Sequence, residues 1–175
     1  LLPRLPNTHY GALAEFIDNS ISSFIRNKSL PEDNPYKYNH PRVDVKLKFD
    51  KAAERIEILD NASGISKDDL PRALKPLEAP DRFENSLNEH GYGMKGAAGW
   101  YAKKFTIYTS VYGEPVARTI TYEFDRIVNE KLTEIPILEE RAPEESHFTH
   151  IRLEKFNDKR FPHTNVMRGI KLHLS

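Results

Sequence analysis

The clearest pattern lies near the start of the chain. Between residues 9 and 27, Leu13, Phe16, Ile17, Ser20, Ile21 and Phe24 gather on one side at the helical repeat, while Glu15, Asp18, Asn19, Ser22 and Arg26 gather on the other. This predicts an amphipathic helix. Residues 28–42 hold three prolines and no period, which predicts a loop. Val43, Val45, Leu47 and Phe49 then alternate with Asp44, Lys46 and Lys48, the pattern of a half-buried strand. Residues 55–59 repeat it and end at Asp60, so the two strands should pair as a hairpin through residues 51–54. Ser66 and Asp69 have the spacing of a helix cap. Residues 75–90 are polar, and residues 96–103 suit a short helix. Two β-rich runs, Phe105 to Val111 and Val116 to Phe124, flank a turn at residues 112–115. The acidic stretch 125–146 predicts a short hairpin and a loop. Thr149 to Glu154 alternates as a last strand, and residues 164–174 suit a terminal helix. Helices and strands mix without a βαβ rhythm. The expected fold is α+β, a two-layer α/β sandwich with one mixed, mostly antiparallel sheet and helices on one face.

Composition narrows the function. The chain has 175 residues, enough for one domain with a sizeable core. Lys+Arg and Asp+Glu are both 26, and this neutrality argues against a generic nucleic-acid or membrane-surface binder. There is no cysteine, which excludes disulfides, thiolate metal sites and a thiol nucleophile. We expect a cytoplasmic protein without a membrane span. The first residues, Leu-Leu-Pro-Arg, read as neither an initiator nor a signal peptide, so we expect a single domain, 1–175, excised from a longer chain. Gly91, Gly93, Gly96 and Gly99, four of the eight glycines, fall within nine residues, which marks a place where the backbone must be bare.

Three places carry candidate chemistry. Residues 91–96 read Gly-Tyr-Gly-Met-Lys-Gly, but the polar stretch before them is no buried strand, so the dinucleotide fingerprint is not met. Bare amides opening a helix can still bind an anion, with Lys95 adding charge; a plain flexible turn is the alternative. Glu15 and Asn19 stand one helical turn apart on the polar face. A carboxylate can take a proton from water and an amide oxygen can ligate Mg²⁺, although a solvated face has the same pattern. Asp60 is delivered by a strand into the small-residue turn Asn61-Ala62-Ser63-Gly64. An ionised carboxylate only accepts hydrogen bonds, so it can hold the exocyclic amine of adenine and repels the carbonyl of guanine; it can equally cap a turn.

Taken together and in this order, the segments ALAEFIDNS, EILDNASGIS, EHGYGMKGAAG and HFTHIRL resemble the gyrase, heat-shock chaperone, histidine kinase and MutL (GHKL) superfamily of ATPases, which has the Bergerat ATP-binding fold. The resemblance runs from residue 12 to 153. It implies ATP and Mg²⁺ as ligands. Glu15 matches the general base, Asn19 the Mg²⁺ ligand and Asp18 its acidic neighbour. Asp60 matches the adenine-reading residue, with Ala62 and Gly64 in the turn beside the base. Gly91, Tyr92, Gly93, Met94, Lys95, Gly96 and Ala97 match the phosphate end of the ATP lid, where Lys95 would stabilise developing charge. Thr149 matches a threonine that helps hold Asp60. Two positions depart from the pattern. Ala62 stands where a glycine is usual, which is harmless if φ there is negative but narrows the space beside the base. Ser22 stands where an Asp often follows.

Histidine kinases usually have Asn at the position of Glu15, so Glu15 points to the hydrolytic branches. The lid resembles microrchidia-like or chaperone-like ATPases. The resemblance then implies slow Mg²⁺-dependent ATP hydrolysis, binding of ATP and ADP, lid closure and ATP-dependent homodimerisation in a longer protein with a downstream transducer domain and a DNA or protein client. A histidine-kinase-like protein kinase and a non-hydrolysing, nucleotide-gated interaction module remain open alternatives. His147 and His150 flank the start of the last strand, and metal binding there is disfavoured.

Overall fold

A computed structural model of the chain describes residues 9–70, 98–99 and 101–157, with side chains from Leu13 onward. In chain order the elements are α1 (His9–Lys28), β1 (Val45–Asp50), β2 (Arg55–Asp60), β3 (Ala102–Ser110), β4 (Val116–Glu123), α2 (Phe124–Glu130), β5 (Ile137–Arg141) and β6 (Phe148–Phe156). The strands form one six-stranded sheet in the order β1-β2-β6-β3-β4-β5. Every pair among the described residues is antiparallel, so the expected mixed component is absent there. The last strand sits at the centre, between β2 and β3, where it pairs along its length with both.

Period-two alternation gives the sheet two unlike faces. On one face the register lines up two apolar rows. Leu47, Ile58, Ile151, Ile107, Ile120 and Ile137 form the first, and Phe49, Ile56, Leu153, Phe105 and Tyr122 the second. Leu13 and Phe16 of α1 join this core, and the rings of Phe16 and Phe105 lie 6.5 Å apart, centre to centre. Burying each such ring contributes about 1.5–3 kcal/mol. The opposite face is polar. There Glu57 is ringed by Arg55 at 3.0 Å, His150 at 3.7 Å and Arg152 at 3.8 Å.

Several expectations need correction. The buried stripe of α1 is Leu13, Phe16, Ser20, Phe24 and Asn27, whereas Ile21 is 39% exposed. Ser20 faces the sheet as expected, while Ile21 lies at the exposed edge of the stripe. Residues 98, 99 and 101 are helical, but Ala102 and Lys103 already belong to β3, because Ala102 is buried and pairs with Phe156. The stretch after β4 is no hairpin. It forms α2, which ends at Lys131 in the left-handed conformation (φ 50°) and is anchored by Phe124 and Ile127 against the core. The single strand β5 then pairs back on β4. The Ser66 cap forms as expected: the Asp69 amide donates to Ser66 Oγ at 3.2 Å, and Ser66 Oγ donates to the Asp69 carboxylate at 2.9 Å. The polar stretch 75–90 and the helix expected at 164–174 lie outside the described residues. Among the described residues no helix is long and apolar enough to cross a membrane.

Candidate functional site

One row further along the helix-covered face, the apolar pattern stops. The register there reads Val45, Asp60, Thr149, Thr109, Arg118 and Glu139. Arg118 is buried and neutralised by Glu114 and by Glu139, the latter at 3.0 Å. Among the described residues Asp60 has no such cation. It is 7% exposed and held by donors alone: Ser20 Oγ to Oδ2 at 2.6 Å, the Ala62 amide to Oδ1 at 2.9 Å and the Thr149 amide to Oδ1 at 3.1 Å. A carboxylate offers about four acceptor positions, so one, on Oδ2, is left. Burial raises the Asp60 carboxyl above its usual range, opposed by the Ser20, Ala62 and Thr149 hydrogen bonds and by nearby His147.

The turn that follows is fixed at nearly every residue. The Asn61 side chain accepts from the Asp44 amide at 2.6 Å. Ala62 is fully buried beside Phe24 and Tyr38 and is not among the residues with positive φ. Its methyl therefore goes into packing, at no backbone cost. Ser63 donates from its amide to Ser23 Oγ (3.3 Å) and from its hydroxyl to the Ser23 carbonyl (3.0 Å). Gly64 has φ +74°, and a Cβ there would lie 2.0 Å from the Ser110 carbonyl oxygen, so only glycine fits. The Ile65 amide donates to Thr109 Oγ1 at 2.9 Å, and that hydroxyl donates onward to the Phe148 carbonyl at 2.9 Å. A cleft of about 300 Å³ opens beside the turn, lined by Ser23, Arg26, Ser63, Gly64, Lys67 and Glu114 among others; Asp60 does not line it.

The Ser20 hydroxyl ties α1 to Asp60, which places the flank of α1 carrying Asn19 next to the end of β2. Asn19 is half-buried, and Glu15, one turn earlier, is exposed. Asp18 is exposed and Ser22 half-buried. The structure thus brings Asp60, Ala62, Gly64 and Thr149 around one turn, while Asn19 is next in sequence to Ser20, which bonds Asp60. Gly91, Tyr92, Gly93, Met94, Lys95, Gly96 and Ala97 lie outside the described residues. Gly99 is described: among the described residues a Cβ there would meet only the Phe124 ring at 3.7 Å, an ordinary contact, so packing against them does not demand a glycine. Among the described residues no three His, Cys, Asp or Glu side chains converge on a metal cage. His147 and His150 lie on opposite faces of the sheet, His150 near Glu57 and His147 against Ala62, and so share no site.

The family model described as histidine kinase-, DNA gyrase B-, and HSP90-like ATPase matches residues 7–155. The chain belongs to this family. Among solved structures, the ATPase domain is similar to the ATPase and transducer domains of DNA topoisomerase II from Balamuthia mandrillaris, with a TM-score of 0.63 and 14% identity over 93% of this chain. The chain spans 42% of the length of that one. The likeness shows the Bergerat fold. No curated protein sequence matches significantly.

Sequence reasoning missed several residues that build the site of this ATPase domain. Ser20 was assigned to the apolar face, and a serine interrupting the stripe Leu13, Phe16, Phe24 was the signal available. Ser23, Thr109, Tyr38 and His147 gave no signal, because each reaches the turn from a distant part of the chain.

Proposed function

We propose that the domain binds ATP in the presence of Mg²⁺ and hydrolyses it slowly, with Asp60 reading the adenine base. The observation that carries this reading is the buried Asp60 carboxylate, held by three donors and left with one acceptor position on Oδ2. An exocyclic amine completes that set, and a guanine carbonyl, an acceptor, cannot. Thr149 holds Asp60 through its amide, and Gly64 lets the turn pack against β3. Glu15 acts as general base toward water on the exposed side of α1. Gly91, Gly93, Lys95 and Gly96 receive the phosphates through amides and one ammonium group.

A half-buried amide suits a cation whose other ligands are phosphate oxygens and water. Asn19 would hold Mg²⁺, which when bound polarises the terminal phosphate. We further propose a microrchidia-like or chaperone-like branch, with lid closure and dimerisation in a longer protein acting on DNA or on a protein client. The sequence of the lid, Gly-Tyr-Gly-Met-Lys-Gly, with Glu15, supports that branch over a phosphotransfer kinase.

The test is a thermal shift of the 175-residue chain with Mg²⁺ plus ATP, ADP or GTP, followed by phosphate release. Stabilisation by both adenine nucleotides and not by GTP is expected. Equal stabilisation by GTP would overturn the assignment of Asp60. Labelled protein in place of free phosphate would overturn hydrolysis in favour of a kinase.

A further inference from the structure

We propose that His147 is a positioning residue for base recognition, one that holds the Asp60–Ala62 turn in the form that leaves a single acceptor open. The inference deepens the nucleotide reading above and rests on it. His147 Nδ1 lies 3.0 Å from the Ala62 carbonyl oxygen. A carbonyl only accepts, so Nδ1 carries the proton and the bond sets the tautomer. The ring is stacked on Tyr38 at 3.9 Å with 14° between the planes, and His40 and Tyr112 meet its edges at 5.8 and 6.2 Å. Tyr38 is itself rooted in α1: its amide donates to Asn27 Oδ1 at 3.3 Å, while Asn27 Nδ2 donates to the Tyr36 carbonyl at 2.8 Å.

The consequence lies in Ala62. Its amide belongs to one peptide plane and donates to Asp60 Oδ1; its carbonyl belongs to the next and accepts from His147. Both planes are therefore fixed. The amide of Thr149, two residues after His147, donates to the same Oδ1. One short segment, 147–149, thus clamps both the reading carboxylate and the turn beyond it. Without the His147 donor, the fully buried Ala62 would keep an unpaired carbonyl, and its plane would turn to find a partner. That rotation carries the Ser63 amide, which shares the plane, off Ser23 Oγ; the turn then loosens from α1, the Ala62 amide is no longer held on Oδ1, and both affinity and base selectivity fall.

Two substitutions in the 175-residue chain separate the parts. His147→Phe keeps a ring for Tyr38 and removes the donor. His147→Asn removes the ring and keeps an N–H donor at the δ position. By calorimetry, His147→Phe should weaken ATP and ADP binding roughly five- to tenfold and lower the ATP-to-GTP preference, and His147→Asn should restore both. Nitrogen NMR of the unaltered chain should find the Nδ1–H tautomer at His147, a readout that does not depend on either variant folding. The inference is overturned if His147→Phe binds ATP normally, if affinity follows the ring instead of the donor, or if the Nε2–H tautomer is found. An unaltered chain that binds neither ATP nor ADP would bring down the nucleotide reading and this inference with it. Binding that is lost in Asp60→Asn but kept in His147→Phe would bring down this inference alone.

Discussion

Asp60→Asn separates recognition from folding within one residue. The substitution keeps the shape of the side chain and exchanges Oδ2 for an NH₂ group. The remaining oxygen still accepts from the Ala62 and Thr149 amides, and the new NH₂ can donate to Ser20 Oγ, whose hydroxyl already reaches the Phe16 carbonyl at 3.0 Å. No buried group of the turn loses its partner, so the fold should survive. A nucleotide fares differently. It loses a charge-assisted hydrogen bond worth about 1.5–3 kcal/mol, and its amine now faces another donor, a further cost of about 1–3 kcal/mol. Together these make about 2.5–6 kcal/mol, a loss of affinity of roughly sixty- to twenty-thousand-fold. Stability should move the other way. Burial raises the Asp60 carboxyl, so between its unfolded value near 3.8 and the raised folded value the native state binds more protons, and stability falls as pH rises through that window. Removing the charge lifts this penalty, so the nucleotide-free variant should melt at or above the unaltered chain at neutral pH, and the difference should close in acid. Calorimetry with ATP and circular-dichroism melts across pH measure both. ATP affinity within threefold of the unaltered chain would refute the reasoning.

Other outcomes follow from the same geometry. Glu15→Ala should bind ATP within about twofold of the unaltered chain while phosphate release falls roughly 10²–10⁴-fold, the usual contribution of a general base. Unchanged release would place the base elsewhere. Gly64→Ala meets the Ser110 carbonyl at 2.0 Å in a left-handed backbone, so it should lower stability by about 2–5 kcal/mol, the sum of the conformational and overpacking costs, and abolish nucleotide binding. Gly99→Ala, with only an ordinary contact at Phe124, should be tolerated, as thermal melts of the pair would show. Phe105→Ala empties a fully buried position in the middle of the sheet and should cost about 3–5 kcal/mol in denaturant titrations.

Local patterns were read well where one periodicity ruled a segment. Helix α1, the β1–β2 hairpin, the turn before β4 and the last strand are all where alternation put them, because a residue's side of a helix or strand depends only on its neighbours in sequence. Within α1 only the edge of the stripe differs: Ser20 is buried as the period puts it, and Ile21, on the adjacent arc, is not. What decides between them is the Asp60 carboxylate on another element, for which the Ser20 hydroxyl is the better partner. Helix α2 was missed because it is short and buries no residue fully, so its period is weak.

By itself the sequence determined most of the element types, a mostly antiparallel α+β fold, and the residue kinds of a carboxylate–amide–glycine site. Each follows from short-range chemistry: side-chain period, turn residues and donor–acceptor inventory. Only the tertiary structure decided that β6 enters the centre of the sheet. That placement puts the Thr149 amide on Asp60 and the His147 ring on Ala62, across 89 and 85 residues of sequence. Such bonds are selected by the whole register of a sheet rather than by any segment, so no local pattern could announce them.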